Sequence, residues 1–278
     1  MNHYFKLLSF ELKRSSKLYY ILLGITFLSQ FIGVIVSSKG YVNRANKSMF
    51  EEGLSKTEYI EQFGLMSFSQ IIDTLLYLGP ITLCAASLVI YLFVIWYRDW
   101  YGKNTFVYRL LMLPSSRMNV FFAKASAIFL MVIGLISFEL ILLPFQNSLF
   151  KMLVPGDFRI DANIREILLS NQVMNFIIPT SFSMFLISYG IGIMAVLIIF
   201  TAILFERSYR LKGILMGVLF CFISVVIFLA PLLVLALSHM ENILYPLEYI
   251  SLQTLLGIIV ISLSIKVSSF LINKRITV

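Results

Sequence analysis

Few residues of this chain have the type and spacing that chemistry needs. The 278 residues include only two histidines, His3 and His239, and neither has a partner at metal-ligand spacing. Gly102-Lys103 is followed by Asn104 and lacks the upstream glycine of a phosphate-binding loop, so a backbone cradle for ATP cannot be built. No Gly-x-Ser-x-Gly elbow is present and no serine lies near an intramembrane histidine, which leaves an intramembrane hydrolase without a catalytic pair. Glu51-Glu52 is a paired carboxylate, but in a polar segment. Glu139 is the one acid well inside an apolar block. An ionised carboxylate facing lipid is costly, so it must face other helices or a wet cavity, or carry a proton. It is a candidate polar contact on a translocation path; a hydrogen bond to a neighbouring helix is the plainer role. No catalytic residue, cofactor or metal is expected.

The elements that position these groups follow from composition. Apolar residues make up 59% of the chain and charged ones 13%, against about 45–50% and about 25% in a soluble domain. Mean hydropathy is +0.91. Six stretches reach the roughly 20 apolar residues that a helix needs to cross a bilayer: 18–36, 74–97, 125–145, 182–205, 213–237 and 252–271. They lack the alternation of barrel strands. The expected fold is therefore all-α, a polytopic membrane protein with six transmembrane helices in one domain over 1–278. Residues 1–17 form an interfacial helix, 18–271 the membrane bundle and 272–278 a tail.

Basic residues resist translocation, and they set the expected orientation. Lys6, Lys13, Arg14 and Lys17, then Arg98 to Lys124, then Arg207, Arg210 and Lys212, and finally Lys266, Lys274 and Arg275 all fall on one side, opposed there by Glu11, Asp99 and Glu206 alone. Both termini are expected to be cytoplasmic. The net charge of +8 is thus topology, and no nucleic-acid partner is implied. On the other side, Lys56 to Ile72 and Asn163 to Leu169 have helix-like spacing. The two cysteines, Cys84 and Cys221, lie in apolar blocks.

On a helical wheel Tyr4, Phe5, Leu8 and Leu12 share an arc opposite Lys6, Lys13 and Lys17, the pattern of a helix lying in the membrane interface. The segment Arg98 to Lys124 is longer than a turn requires. Phe106, Val107, Leu110 and Leu111 recur at helical spacing with Lys103 and Arg109 elsewhere on the wheel, and Pro114 ends the pattern. Trp100 precedes this short amphipathic helix and Arg117 follows it. Pro80 and Pro231 fall inside spans, and Gly213-x-x-x-Gly217 permits close helix approach.

The aromatic and basic tract with Asp99 and Gly102 near its start, the run Leu113-Pro114-Ser115-Ser116-Arg117, and Ala123-Lys124 opening the third span resemble the permease subunits of ABC-2 type transporters. The six-span layout behind an interfacial helix is similar too. The resemblance implies an exporter permease in the cell membrane, moving a hydrophobic or amphipathic peptide, bacteriocin or drug. It implies three partners: an ABC ATPase subunit that hydrolyses the ATP, a second permease subunit, and the lipid bilayer. Trp100, Lys103, Phe106, Val107, Arg109, Leu110, Leu111 and Arg117 are then the residues coupled to the ATPase, with the N-terminal helix and Glu206 to Lys212 contributing. The segment between the fifth and sixth spans leaves little room for the re-entrant helices common in that family. A secondary transporter or channel is the alternative.

Overall fold

The computed structural model describes residues 3–51, 53–101, 110–112, 116–238 and 245–276. Numbered over these, the helices are α1 (His3–Glu51), α2 (Lys56–Phe63), α3 (Phe68–Ile72), α4 (Leu75–Tyr101), α5 (Met118–Leu153), α6 (Ile164–Ser170), α7 (Gln172–Ile177), α8 (Phe182–Tyr209), α9 (Leu211–Ser238) and α10 (Pro246–Phe270). The protein is all-α, and six helices, α1, α4, α5, α8, α9 and α10, are long and apolar enough to cross a membrane. Only 22% to 33% of the most apolar window of each is buried within the chain, so the chain leaves most of each apolar surface uncovered.

Several helices outrun their apolar blocks. Helix α1 has 49 residues, about 73 Å at 1.5 Å per residue, against a hydrocarbon core of about 30 Å. Its expected span, 18–36, is only the part that suits lipid. Nothing in Ser37 to Lys39 stops a helix, and Gly40 costs only about 1 kcal/mol. The interfacial helix expected over 1–17 likewise runs into the span without a break. Helix α5 continues past Phe145 to Leu153. Helix α8 reaches Tyr209 and α9 starts at Leu211, so the expected loop Glu206 to Lys212 is almost entirely helical. Beyond α10 the chain stays coiled, the Ile276 N–H reaching the Leu271 carbonyl at 3.0 Å, where a tail was expected from 272.

The chain divides into two compact units. The first comprises Met1–Lys13, Val89–Phe129 and Leu186–Val278, the second Arg14–Leu88 and Leu130–Phe185.

In the second unit, polar residues face inward. Leu22, Thr26, Gln30 and Val34 recur every four residues along α1 and are buried, whereas Ile21, Leu28 and Ile32 are exposed. This is amphipathicity turned inside out, as lipid contact requires. The ends of α1 and α5 join α2, α3, α6 and α7 around one apolar core that includes Tyr59, Phe68, Phe150, Phe158, Ile167 and Met174. Phe68 packs against Phe150 with ring centroids 5.8 Å apart, and Tyr59 meets Phe158 edge-on at 6.2 Å. Such pairs add about 0.5–1.5 kcal/mol each beyond the area they bury. Local signals cut the segment expected as one helix, Lys56 to Ile72, in two. Ser55 starts α2, accepting from the Glu58 N–H at 3.3 Å while its own N–H donates to Glu58 Oε2 at 2.8 Å. Gly64, at φ +75°, stops it. Strands β1 (Met66–Ser67) and β2 (Arg159–Ile160) then pair in parallel, Met66 opposite Arg159. The expected helix Asn163 to Leu169 is α6.

In the first unit, Trp96, Phe121 and Phe200 form a ring trio joining α4, α5 and α8, with centroids 5.5 to 6.4 Å apart. The α8–α9 turn is tight. Arg210 takes φ +55°, a Cβ on Gly213 would collide with the Phe205 carbonyl, and one on Gly217 would lie 3.0 Å from the Ala202 carbonyl. The two glycines therefore serve packing within the chain.

Candidate functional site

The first unit places a lysine where three helices meet. Lys124 lies near the start of α5, next to the Leu110, Val120 and Ala123 cluster into which α1 inserts Leu7. Its side chain is fully buried. The ammonium has three N–H donors, and all three are used: one to Glu11 Oε1 on α1 at 2.7 Å, one to the Ile95 carbonyl on α4 at 2.9 Å, and one to Asp99 Oδ2 on α4. The Trp96 ring lies 5.3 Å from Nζ. Glu11 Oε2 accepts from Arg98 at 3.3 Å. Two cations thus face two carboxylates, which lets the cluster be buried without net charge. The Tyr4 hydroxyl donates to Ser126 Oγ at 2.7 Å, a second tie between α1 and α5.

This cluster brackets the aromatic and basic tract, since Asp99 stands near its start and Lys124 follows it. Four of the candidate coupling residues, Trp100, Leu110, Leu111 and Arg117, are among the described residues. Trp100 flanks Arg207, whose guanidinium also meets the Tyr97 and Tyr101 rings, with centroid distances of 4.5 to 5.5 Å. The Tyr97 hydroxyl donates to Glu206. Leu110 and Leu111 are buried. Arg117 donates to the carbonyls of Ile272 and Ile276, each at 3.2 Å, fastening the start of α5 to the turn that ends α10. Lys103, Phe106, Val107 and Arg109 lie outside the described residues. On α1 Tyr4 and Leu8 of the expected apolar face pack inward beside the buried Leu7, while Phe5 is 58% exposed, so the inward side is centred on Leu7 and Glu11.

The second unit holds Glu139. It is buried and accepts through both oxygens from Gln30 Nε2 on α1, at 2.9 and 3.0 Å. Gln146 Nε2 donates to Gln30 Oε1 at 2.8 Å, and the Tyr77 hydroxyl on α4 donates to Gln146 Oε1 at 2.7 Å. The donors run one way, from phenol through two amides to the carboxylate, and the chain links α4, α5 and α1. Glu139 is thus placed among neighbouring helices rather than against lipid. Thr26 Oγ1 lies 3.4 Å from Cys84 Sγ in the same unit.

In the sequence Lys124, Glu11 and Asp99 stand as charges on one side of the membrane or as parts of a motif, with nothing that pairs them directly. The usable signal was the recurrence of Leu7, Glu11 and Ser15 at four-residue intervals, since a buried stripe that includes a carboxylate demands a cation. Gln30 gave a similar signal as a lone amide in an apolar block. Among the described residues no group of three or more His, Cys, Asp and Glu could hold a metal ion. What the Lys124 cluster can do is keep three helix ends moving as one body. Searches against protein-family models, curated proteins and solved structures find no match for this chain.

Proposed function

We propose that this chain is the membrane-spanning permease subunit of an ABC exporter, moving a hydrophobic or amphipathic compound with ATP hydrolysed on a separate nucleotide-binding subunit. The observation that carries this reading is the buried Lys124, Glu11 and Asp99 cluster. It ties the N-terminal helix, the end of the second span and the start of the third into one body at the root of the tract that resembles an ATPase-docking element. A push on that tract would then move helix ends together instead of being lost in a loop. The chain carries no phosphate-binding loop, so the motor is a second protein, and a second permease completes the path.

The test is purification of the tagged full chain from its native membrane in mild detergent. An ATP-hydrolysing subunit is expected to accompany it, and Arg109→Glu or Phe106→Asp is expected to release that subunit while the chain stays in the membrane fraction. An ATPase retained by both variants, or uphill transport by the chain alone in liposomes, overturns the proposal. The second reading, a secondary transporter, is favoured by the Gln30, Glu139, Gln146 and Tyr77 network. It requires transport that follows an ion gradient without ATP and is lost in Glu139→Gln.

A further inference from the structure

The structure gathers basic residues of the first unit that are well apart in sequence. The Arg275 guanidinium lies 5.4 Å from the centre of the Tyr209 ring and 6.0 Å from that of Phe270, and Lys274 lies 5.8 Å from the Phe270 ring. Arg210 in the α8–α9 turn and Lys212 in the first turn of α9 follow Tyr209. Arg210, Lys212, Lys274 and Arg275 are all exposed, and none has a carboxylate within salt-bridge distance among the described residues. The one acid in the turn region, Glu206, is engaged by Tyr97 and Arg207. Exposed apolar side chains border the cations: Leu211 at 83%, Leu215 at 70% and Phe270 at 45% exposure.

We propose that this patch is a binding site for the headgroup of an anionic phospholipid. Three membrane-length helices, α8, α9 and α10, all end here, which puts the cations at headgroup level whichever way the protein is inserted. Tyr209 and Phe270 hold Arg275 in place by cation–π contact, so part of its side-chain entropy is surrendered before the ligand arrives. The cations supply what a lipid phosphate needs, and Leu211 and Leu215 supply what the adjoining acyl chain needs. A soluble acidic protein would have no use for that apolar border. The uncompensated charge therefore does more than set topology: it selects which lipid stays with the protein.

The experiment is native mass spectrometry of the full chain, purified in detergent and supplied with equal amounts of phosphatidylglycerol and phosphatidylcholine. Wild type is expected to retain phosphatidylglycerol preferentially. Arg275→Gln is expected to weaken retention about fivefold, the worth of one cation near an anionic surface, and the triple variant Arg210→Gln, Lys274→Gln, Arg275→Gln at least tenfold. Arg275→Lys is expected to retain the lipid, which separates charge from a structural role. The proposal is overturned if both lipids are retained equally or if the triple variant retains phosphatidylglycerol as well as wild type. It is overturned too if millimolar inorganic phosphate alone displaces the lipid, which would mark a simple anion site.

Discussion

Lys124 in the first unit and Glu139 in the second are buried ionisable side chains on the same helix, α5, and they are accommodated by opposite means. Lys124 meets carboxylates, so its cluster balances charge against charge and every member depends on the rest. Glu139 meets neutral groups, the Gln30 amide with the Gln146 amide and the Tyr77 phenol close by, and no cation pairs with it among the described residues. A charge-balanced cluster is brittle, because losing one member strands its partners in a low-dielectric interior. A network of neutral donors degrades one hydrogen bond at a time. The first suits a joint that must not yield. The second suits a place where helices can exchange partners.

The largest effect that would test this contrast is Lys124→Met. It leaves Glu11 with only Arg98 and leaves Asp99 without its lysine, and it is expected to lower stability by about 3–5 kcal/mol, the usual cost of breaking a buried pair from one side. Thermal unfolding in detergent reads it. The double variant Lys124→Met, Asp99→Asn removes the second charge of the lost pair as well, keeps Glu11 facing Arg98, and is expected to recover much of the loss. If the double variant proved as unstable as the single one, packing around Lys124 would be what matters, and the contrast would fail. In the second unit Gln30→Leu deprives Glu139 of its donor and Gln146 of its acceptor. Glu139 still has the Tyr77 hydroxyl beside it, so the Gln146 amide is the one group left unsatisfied, at about 1–3 kcal/mol, and the loss is expected to be smaller than for Lys124→Met in the same assay.

The six long helices were legible because twenty apolar residues in a row mean one thing in any sequence. Their ends were not, since hydropathy reports where lipid touches a helix and is silent on where its hydrogen bonds stop; α1 passing through Ser37, Ser38 and Lys39 is the plain case. The small core over Tyr59, Phe68, Phe150 and Phe158 was hidden for a related reason. Its elements are short, come from two distant segments, and announce themselves only by local caps such as Ser55 with Glu58. Glu139 was legible as a buried acid because it is a carboxylate in an apolar block, but Gln146 was not, falling just past the expected end of its span. Trp100 and Arg117 were singled out from the tract, and the structure gives each a partner. Lys124, the residue at the centre, was hidden by its chemistry, since a lysine close to the end of a span reads as a topological marker until three acceptors are seen around it.

Glu139→Gln sharpens the comparison from the other side. The amide keeps one carbonyl oxygen to accept from Gln30, so stability and membrane abundance are expected to stay within about 1 kcal/mol of wild type, whereas the corresponding neutralisation of Lys124 is severe. If Glu139 also lies on the transport path, export falls in this variant at unchanged abundance. A drop in abundance as large as that of Lys124→Met would mean that the two sites are equally rigid.

The smallest expected effect concerns an ion cluster that water can reach. Asp161 Oδ1 accepts from Arg159 Nε at 3.0 Å and lies 3.4 Å from Lys151 Nζ. The Arg159 hydrogen bond, with the charges of Arg159 and Lys151 behind it, holds the Asp161 carboxyl below the usual carboxylate value. Arg159 in turn donates to the carbonyls of Lys151 and Val154 at 2.5 and 2.8 Å, satisfying groups at the C-terminal end of α5. A carboxylate whose folded pKa is depressed adds stability that is fully present above its unfolded value, about 3.9, and is lost as pH falls through the folded value. Wild type is therefore expected to exceed Asp161→Asn slightly in amide protection around residues 151–160 at pH 7, and the difference is expected to vanish on acidification from about pH 4 downward. Because solvent screens this cluster, a gap approaching that of the buried Lys124 cluster would show that exposure is not what separates strong from weak charge pairs in this protein.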